Sequence, residues 1–175
     1  MKLIMPTMAY KEKAEGFIGE FREYGSEING SGGLDRYLRA DGYEQWLEKL
    51  RRDMDAANMD PAKVPALTYF YVDEETDEIV GMVNIRLALN DFLRAEGGHI
   101  GYGVRPTKRG RHHATEMLRA ALRVCDVFGI RDVIVTCDRD NPASAHVIMN
   151  CGGVLDDEFY SETFGEIIQR YIIRR

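Results

Sequence analysis

The sequence has few of the residues that build disulfide frameworks, metal clusters and membrane spans. It holds three cysteines among 175 residues and no Cys-x-x-Cys pair. Isolated cysteines of this kind are typical of reduced thiols in a cytoplasmic protein, not of a zinc site or a secreted scaffold. No run reaches the roughly 20 apolar residues of a bilayer-spanning helix, and the first residues lack the apolar core of a signal peptide. We therefore expect a cytoplasmic protein with no membrane partner and no metal.

Positive charge is also scarce. Lys and Arg number 23 against 29 Asp and Glu, which gives a formal net charge of −6. Binding nucleic acid through a broad surface needs clustered Lys and Arg, so the charge balance argues against a nucleic-acid partner. An acidic surface leans instead toward cationic ligands such as amines or basic peptides.

The chain otherwise has the composition of an ordinary globular protein, with 45% hydrophobic and 30% charged residues. At this length, one domain spanning residues 1–175 can bury a substantial core. A classical nucleotide-binding domain is disfavoured, because neither Gly-x-x-x-x-Gly-Lys-Ser/Thr nor Gly-x-Gly-x-x-Gly occurs.

The first half of the chain alternates helical and strand patterns. Apolar residues at helical spacing predict a helix over 10–24 and a helical region over 34–54 that Gly42 bends or divides. Three β-rich runs with short connectors follow, and this arrangement predicts an antiparallel meander. The runs span residues 66–72, 79–89 and 98–104, with a short edge strand at 2–8 ahead of the first helix.

The second half begins with a strand–helix–strand unit. Helical spacing continues from Ala114 to Phe128 and stops at Gly129, and the β-branched run 133–137 predicts a buried strand. A helical connection of this length makes the strands at 98–104 and 133–137 parallel neighbours.

A last helix and a hairpin complete the chain. Asn141 and Pro142 begin the helix, with Pro at its favoured first position. Two closing strands span 154–160 and 166–173. Apolar residues of an exposed hairpin are consistent with a homodimer; they are Ile168, Tyr171 and Ile173.

A loop rich in Arg, Lys and Gly separates the strand at 98–104 from the following helix. Unpaired amides at a helix start, together with nearby positive charge, suit a phosphate or pyrophosphate. An ordinary solvated basic loop is the alternative, and the loop alone does not separate the two interpretations.

Two segments carry a family resemblance. Val104-Arg105-Pro106 followed by Arg109-Gly110-Arg111-His112-His113-Ala114 resembles the acyl-CoA loop of the GCN5-related N-acetyltransferases, Gln/Arg-x-x-Gly-x-Gly/Ala. Arg109 matches its first position and Ala114 its last, but His112 stands where the family usually has the middle glycine. Asn141-Pro142-Ala143-Ser144 is similar to the family's Asn-x-x-Ser/Ala signature. The pattern leans toward the branch that modifies ribosomal-protein N-termini and spermidine-like amines.

The resemblance implies an α/β (α+β) fold with a mixed central sheet of about six to seven strands and about four helices. It also implies transfer of an acetyl group from acetyl-CoA to a primary amine of a small molecule or a peptide N-terminus. A non-catalytic acyl-CoA sensor on the same fold is the alternative. His112 and Ile148, which stands where many members have a tyrosine acid, keep that alternative open.

The same resemblance assigns residues to the cosubstrate. The backbone of Tyr102, Gly103 and Val104 would hydrogen-bond the pantetheine arm, and the loop residues would hold the pyrophosphate. Asn141 and Ser144 would lie along the pantetheine, although Asn141 also suits a helix cap. The loop residues concerned are Arg109, Gly110, Arg111, His112, His113 and Ala114.

Acetyl transfer to an amine needs a base that takes a proton from the nitrogen. His99 is the preferred candidate, because it opens the strand at 98–104 and an unperturbed histidine pKa of about 6.5 suits the task. Glu96 is the second candidate. Tyr160 is a candidate acid for the departing thiolate, as is Cys151, and a structural role for His99 stays open.

Overall fold

A computed structural model describes residues 1–54 and 63–175 of the chain. Its seven strands in these ranges are Lys2–Ile4 (β1), Ala66–Val72 (β2), Ile79–Arg86 (β3), Ile100–Val104 (β4), Asp132–Asp138 (β5), Gly153–Ser161 (β6) and Glu166–Arg174 (β7). Its five α-helices there are Lys11–Glu23 (α1), Leu34–Ala40 (α2), Tyr43–Asp53 (α3), His113–Val127 (α4) and Pro142–Asn150 (α5). Short 3₁₀ turns lie at Met8–Tyr10 and Pro106–Lys108, and a π-helical turn lies at Leu93–Gly97.

The strands form two antiparallel sheets, and the prediction of one mixed sheet is wrong. Strands β1 to β4 pair in chain order, as the meander predicts, while β7 lies between β5 and β6 in the second sheet. In the described residues β4 and β5 form no ladder, so the expected parallel pairing of 98–104 with 133–137 is absent.

The reason lies in a junction between His99 and Ile134, which we call the β4–β5 junction. The backbone N of His99 donates to the Ile134 carbonyl at 2.7 Å, and the backbone N of Ile134 donates to Nδ1 of the His99 ring at 2.9 Å. A side chain thus takes the position that a strand carbonyl would occupy in a continuous ladder, and the pairing stops there.

The described residues contain five α-helices instead of about four, because Gly42 divides the second helical region. Gly42 has a φ of +92° and separates α2 from α3. Strand β1 ends at Ile4, ahead of Pro6, which has no amide hydrogen to continue a ladder.

Two hydrophobic clusters lie on either side of the first sheet. Phe70 and Val72 of β2 pack with α1, α2 and α3, whereas Tyr69 and Tyr71 pack with α4, β5 and α5. This division follows from the strand period, since successive side chains point to opposite faces. The first sheet is therefore covered on both faces, and its β4 edge lies beside β5.

The closing hairpin gives no support for a homodimer through its apolar residues. Ile168, Tyr171 and Ile173 are buried within this chain's own core. The large apolar side chains that stay exposed on β6 are Val154, Leu155 and Tyr160.

Gly98 fixes the geometry just before β4. Its φ is +63°, and a Cβ at this position would lie 2.7 Å from the Ile134 carbonyl oxygen. Backbone atoms cannot move aside as a flexible side chain can, so only glycine lets the two segments approach this closely.

We expect Gly98→Ala to lower the free energy of unfolding by about 2–4 kcal/mol, through left-handed strain and a clash with backbone. Gly129→Ala is the matched control, because Gly129 also has a positive φ (+71°) but open space around its Cβ. Urea unfolding of both variants separates the cost of the clash with the Ile134 carbonyl from the cost of the left-handed backbone conformation. Equal losses in the two variants would show that the β4–β5 junction accommodates a methyl group.

Candidate active site

A cleft of about 1070 Å³ opens along β4 and β5. Its walls come from these two strands, the loop after α1, the starts of α4 and α5, and the start of β7. All but one of the residues that the sequence assigned to the cosubstrate line this cleft. The exception is Arg111, whose side chain is exposed and lies outside the lining. The residues in the lining are Tyr102, Gly103, Val104, Arg109, Gly110, His112, His113, Ala114, Asn141 and Ser144.

The backbone of β4 turns one edge toward the cleft. The N of Arg105 donates to the Val80 carbonyl, which identifies the odd-numbered residues of β4 as those bonded to β3. Bonded and non-bonded positions alternate in an antiparallel ladder, so the amides and carbonyls of Tyr102 and Val104 point away from β3. An edge of this kind binds an extended ligand that carries amides, as it would bind an added strand.

The loop after α1 lies directly on β4. A Cβ on Gly30 would be 2.5 Å from the Gly101 carbonyl oxygen, and a Cβ on Gly103 would be 2.8 Å from the Asn29 carbonyl oxygen. Backbone therefore packs on backbone here, and the loop forms a fixed wall of the cleft.

The start of the basic loop is anchored to α1 by Glu20. Its carboxylate accepts hydrogen bonds from Arg105 Nη1 at 2.8 Å, from Thr107 N at 2.9 Å and from Thr107 Oγ1 at 2.8 Å. Burial raises the pKa of the Glu20 carboxyl, but these hydrogen bonds and the charge of Arg105 outweigh it, and the pKa falls below its ordinary value. The anchor is thus ionised at neutral pH.

Arg109 holds the middle of the same loop. Its Nε donates to the Val104 carbonyl at 3.1 Å, its Nη2 donates to Ser26 Oγ at 2.8 Å, and its guanidinium lies 5.4 Å from the centre of the Phe21 ring. The side chain therefore links the basic loop to β4 and to the loop after α1. These contacts set the loop's course above the start of α4.

Two residues of the basic loop adopt left-handed backbone conformations, Gly110 with φ +73° and His112 with φ +62°. His112 occupies the position of the family's middle glycine and also adopts a conformation that glycine reaches most easily. Its side chain is exposed. The backbone shape that a glycine would give is thus present despite the substitution.

The first turn of α4 faces the cleft with donors available. The His112 side chain makes no capping hydrogen bond, so the amides of His113, Ala114 and Thr115 are not satisfied by a cap. Nδ1 of His113 is buried and has no hydrogen-bond partner among the described residues. Amides at a helix start, nearby Arg and Lys side chains and an unpartnered ring nitrogen fit a pyrophosphate.

The start of α5 supplies a second polar wall. Asn141 Oδ1 accepts from Ser144 N at 3.0 Å, so Asn141 does cap the helix. Ser144 Oγ lies 2.9 Å from the Tyr102 hydroxyl. Burial raises the pKa of Tyr102 well above its ordinary value, so this phenol stays protonated and acts as a hydrogen-bonding group.

His99 does not line the cleft. It is buried, and its Nδ1 is used by the Ile134 amide in the β4–β5 junction. Burial, together with the positive charges of Arg94 and Arg86, lowers the pKa of His99 to about 4. The ring is neutral at pH 7, but its Nδ1 is already occupied and it has no access to the cleft, so the geometry favours a structural role.

Glu96 does line the cleft, at the segment that leads into β4. Its Oε2 accepts from Ser161 Oγ at 2.6 Å, and its backbone carbonyl accepts from Thr136 Oγ1 at 2.9 Å. Tyr160 lies outside the cleft lining, with 65% of its side chain exposed on β6. Cys151 is also outside the cleft lining, so Glu96 alone of the four catalytic candidates faces the cleft.

Sequence reasoning missed a group of acidic residues on the cleft wall. The charge of Asp138 raises the pKa of Glu166, and burial and the charges of Glu27 and Asp140 add to the effect. Asp138 and Glu166 come together because β5 pairs with β7, a long-range contact that no local pattern predicts, and Glu27 of the loop after α1 and Asp140 after β5 line the same cleft. The members of this acidic wall are Glu27, Asp138, Asp140 and Glu166.

Cys137 also lines the cleft, at the end of β5. Burial raises the pKa of its thiol to about 11, and the charge of Asp138 acts in the same direction. All three cysteines are free in the structure.

The sequence matches the model of one protein family. The model described as an acetyltransferase (GNAT) domain matches residues 20–154. The chain belongs to the GNAT family. Among curated proteins, none matches the sequence of this GNAT chain.

Solved structures share the GNAT fold over nearly the whole chain. A chimera of spermidine N-acetyltransferase from Vibrio cholerae and hSSAT is 15% identical, with a TM-score of 0.60, over 99% of this chain and 96% of that one. Ribosomal-protein-S5-alanine acetyltransferase from Vibrio fischeri is 14% identical, with a TM-score of 0.69, over 98% and 91%. Microcin C7 self-immunity acetyltransferase, solved with acetyl-CoA and AMP, is 17% identical, with a TM-score of 0.67, over 99% and 92%.

Membrane-spanning helices and metal-binding clusters are both absent from the described residues of this GNAT chain. None of its helices there combines the length and apolar content needed to cross a bilayer. No group of three or more His, Cys, Asp or Glu side chains in the same ranges is arranged to hold a metal ion.

Because the His99 ring is neutral in the folded protein, it predicts how the free energy of unfolding changes with pH. The pKa of His99 is about 4 in the folded protein and about 6.5 in an unfolded chain, so below pH 6.5 the unfolded state binds the proton first. His99→Gln removes the titrating ring while keeping a side-chain acceptor. Between pH 7 and pH 5, the wild type is expected to lose about 2 kcal/mol more stability than this variant.

Urea unfolding at the two pH values measures this difference. The same loss in both proteins would mean that the His99 ring titrates normally and is not held neutral in the junction.

Proposed function

We propose that the protein is an acetyl-CoA-dependent N-acetyltransferase that acts on a primary amine of a small molecule or a peptide N-terminus by direct attack in a ternary complex. The observation that carries the proposal is the cleft: one exposed strand edge runs from Glu96 at one end to the amides of α4 at the other. The names of the solved relatives, which include spermidine and ribosomal-protein alanine acetyltransferases, support an amine acceptor.

In this proposal acetyl-CoA supplies an acetyl group activated as a thioester. The basic loop and the first turn of α4 hold its pyrophosphate, and the backbone groups of Tyr102 and Val104 that point away from β3 bind the pantetheine arm, while Gly103 between them has no side chain to obstruct it. Residues Ile100 to Val104 span about 13 Å of extended strand, which separates the phosphate end of the cleft from the end near Glu96. An amide of Tyr102 or Val104 serves as donor to the carbonyl oxygen as negative charge develops there.

Glu96 replaces His99 as our proposed general base. It faces the cleft, it carries a carboxylate fixed by Ser161, and it lies at the end of β4 away from the pyrophosphate loop. We assign no residue as acid for the departing thiolate, since Tyr160 is exposed on β6 and Ile148 on α5 has no proton to give. Proximity of the bound reactants and solvent protons serve this step.

The acidic wall favours an acceptor with positive charge. The charge of Asp138 raises the pKa of Glu166, and a cation bound beside these two carboxylates relieves the repulsion between them. A protonated amine is therefore attracted to the cleft, where Glu96 removes its proton before attack. A neutral or anionic acceptor gains nothing from this wall.

Binding and turnover together test the function. We expect isothermal titration to show acetyl-CoA binding, and thiol release to follow when amines are added. Gly110→Pro should weaken acetyl-CoA binding at least about tenfold, because proline cannot adopt a positive φ. Gly129→Pro is the control, since Gly129 also has a positive φ but lies outside the cleft lining.

Binding without thiol release across a panel of amines would identify a non-catalytic acyl-CoA sensor instead. Binding of ATP in place of acetyl-CoA would contradict both functions.

For the base, we expect Glu96→Gln to lower kcat by about 10² or more and to leave the affinity for acetyl-CoA unchanged. The amide keeps the size of the side chain but cannot take a proton from the amine. Glu162→Gln, which neutralises an exposed carboxylate in the β6–β7 turn, is the matched control. An unchanged kcat in Glu96→Gln, measured by thiol release at saturating amine, would exclude Glu96 as the base.

A further inference from the structure

Two hydroxyl groups from distant parts of the chain donate hydrogen bonds to Glu96. Thr136 of β5 donates to the backbone carbonyl of Glu96, and Ser161 at the end of β6 donates to its carboxylate. The two donors belong to the second sheet, whereas Glu96 lies on the connection between β3 and β4 of the first sheet. The carboxylate is therefore held across the gap between the sheets.

The direction of the Ser161 hydrogen bond is fixed by a second contact. Ser161 is 1% exposed, and its Oγ accepts a hydrogen bond from Phe164 N at 3.1 Å. A hydroxyl has one hydrogen to donate, and the carboxylate of Glu96 at 2.6 Å receives it. Ser161 thus acts as a donor to the proposed base and not as a competing acceptor.

An aromatic contact ties the same two segments together a second time. The rings of Phe92 and Phe164 lie with their centres 6.2 Å apart, and Phe164 also lines the cleft. Phe92 precedes the π-helical turn Leu93–Gly97 that carries Glu96, and π-helical turns are frequent at functional sites. The turn between β6 and β7 therefore packs on the base-bearing segment at the mouth of the cleft.

We propose that Ser161 is a positioning residue that orients the Glu96 carboxylate toward the acceptor amine. The inference rests on the proposed function, in which Glu96 is the base. The terminal torsion of a glutamate side chain has a broad, roughly two-fold preference, so the carboxylate needs a partner to define its plane. A displaced base removes a proton less efficiently even when every other contact is intact.

The experiment compares four variants in the thiol-release assay. We expect Ser161→Ala to lower kcat for the amine about tenfold with KM for acetyl-CoA unchanged. Ser161→Thr keeps the hydroxyl and is expected to retain most of the activity. Thr163→Ala removes an exposed hydroxyl from the same turn and serves as the matched control. In the Glu96→Gln background, Ser161→Ala is expected to cause no further loss.

The double variant separates positioning from a general structural effect. A tenfold loss from Ser161→Ala that persists in the Glu96→Gln background would overturn the proposal, because the serine would then act without the carboxylate. Should Ser161→Thr fail to fold, as urea unfolding would reveal, Ser161→Cys gives a weaker donor of similar size, and an intermediate kcat is expected. A Ser161→Cys kcat below that of Ser161→Ala would contradict the proposal.

Failure of the positioning role and failure of the proposed function give different results in these assays. An unchanged kcat in Ser161→Ala beside a lowered kcat in Glu96→Gln overturns the positioning role alone. An unchanged kcat in Glu96→Gln, or a wild type that binds acetyl-CoA and releases no thiol, overturns the base and its positioning together.

Discussion

The cleft depends on the β4–β5 junction. Two hydrogen bonds join His99 to Ile134, and one of them uses an imidazole nitrogen where a sheet would use a carbonyl. The His99 carbonyl accepts from Arg86 N of β3, so the pairing with β5 does not continue, and the strands part and leave the backbone of Tyr102 and the amide of Val104 facing the cleft. Gly98 makes the close approach possible. A continuous sheet would have consumed the same amides in its own ladder.

Side-chain contacts also anchor the chain just after the C-terminal end of β4. Glu20 fixes the first residues of the basic loop to α1, and Arg109 ties the middle of that loop to Ser26. The middle of β4 lines the cleft, and the contacts at both of its ends hold the strand in place. Preorganised backbone donors of this kind cost little ordering when a ligand binds, which explains how a narrow strand edge can serve as a binding surface.

Local patterns were enough to predict most of the secondary structure. The helix period, the stop at Gly129 and the Asn141 cap are encoded within a few residues of one another, and the structure has them. The two separate sheets were not predictable in this way, because they follow from one side chain replacing a backbone group across 35 residues. His99 itself resembled a strand-opening base, and its burial and its hydrogen bond from Ile134 N reverse that interpretation.

The acidic wall and Ser161 escaped sequence reasoning for the same reason. Asp138 and Glu166 are unremarkable in their local contexts and meet only when β5 pairs with β7, and Ser161 meets Glu96 only when the end of β6 reaches the segment before β4. The basic loop was easier to identify, because all of its residues are contiguous. Contiguous sites are visible in a sequence, whereas sites assembled from separate strands become visible in the fold.

The Cys137 side chain has a consequence for how an acyl group would travel through the cleft. A thiolate beside a thioester would capture the acyl group by exchange and turn a one-step transfer into two. Burial holds the pKa of Cys137 near 11, so only about one molecule in 10⁴ carries the thiolate at neutral pH. In the proposed reaction the Cys137 thiol would therefore not compete with the amine for the acyl carbon.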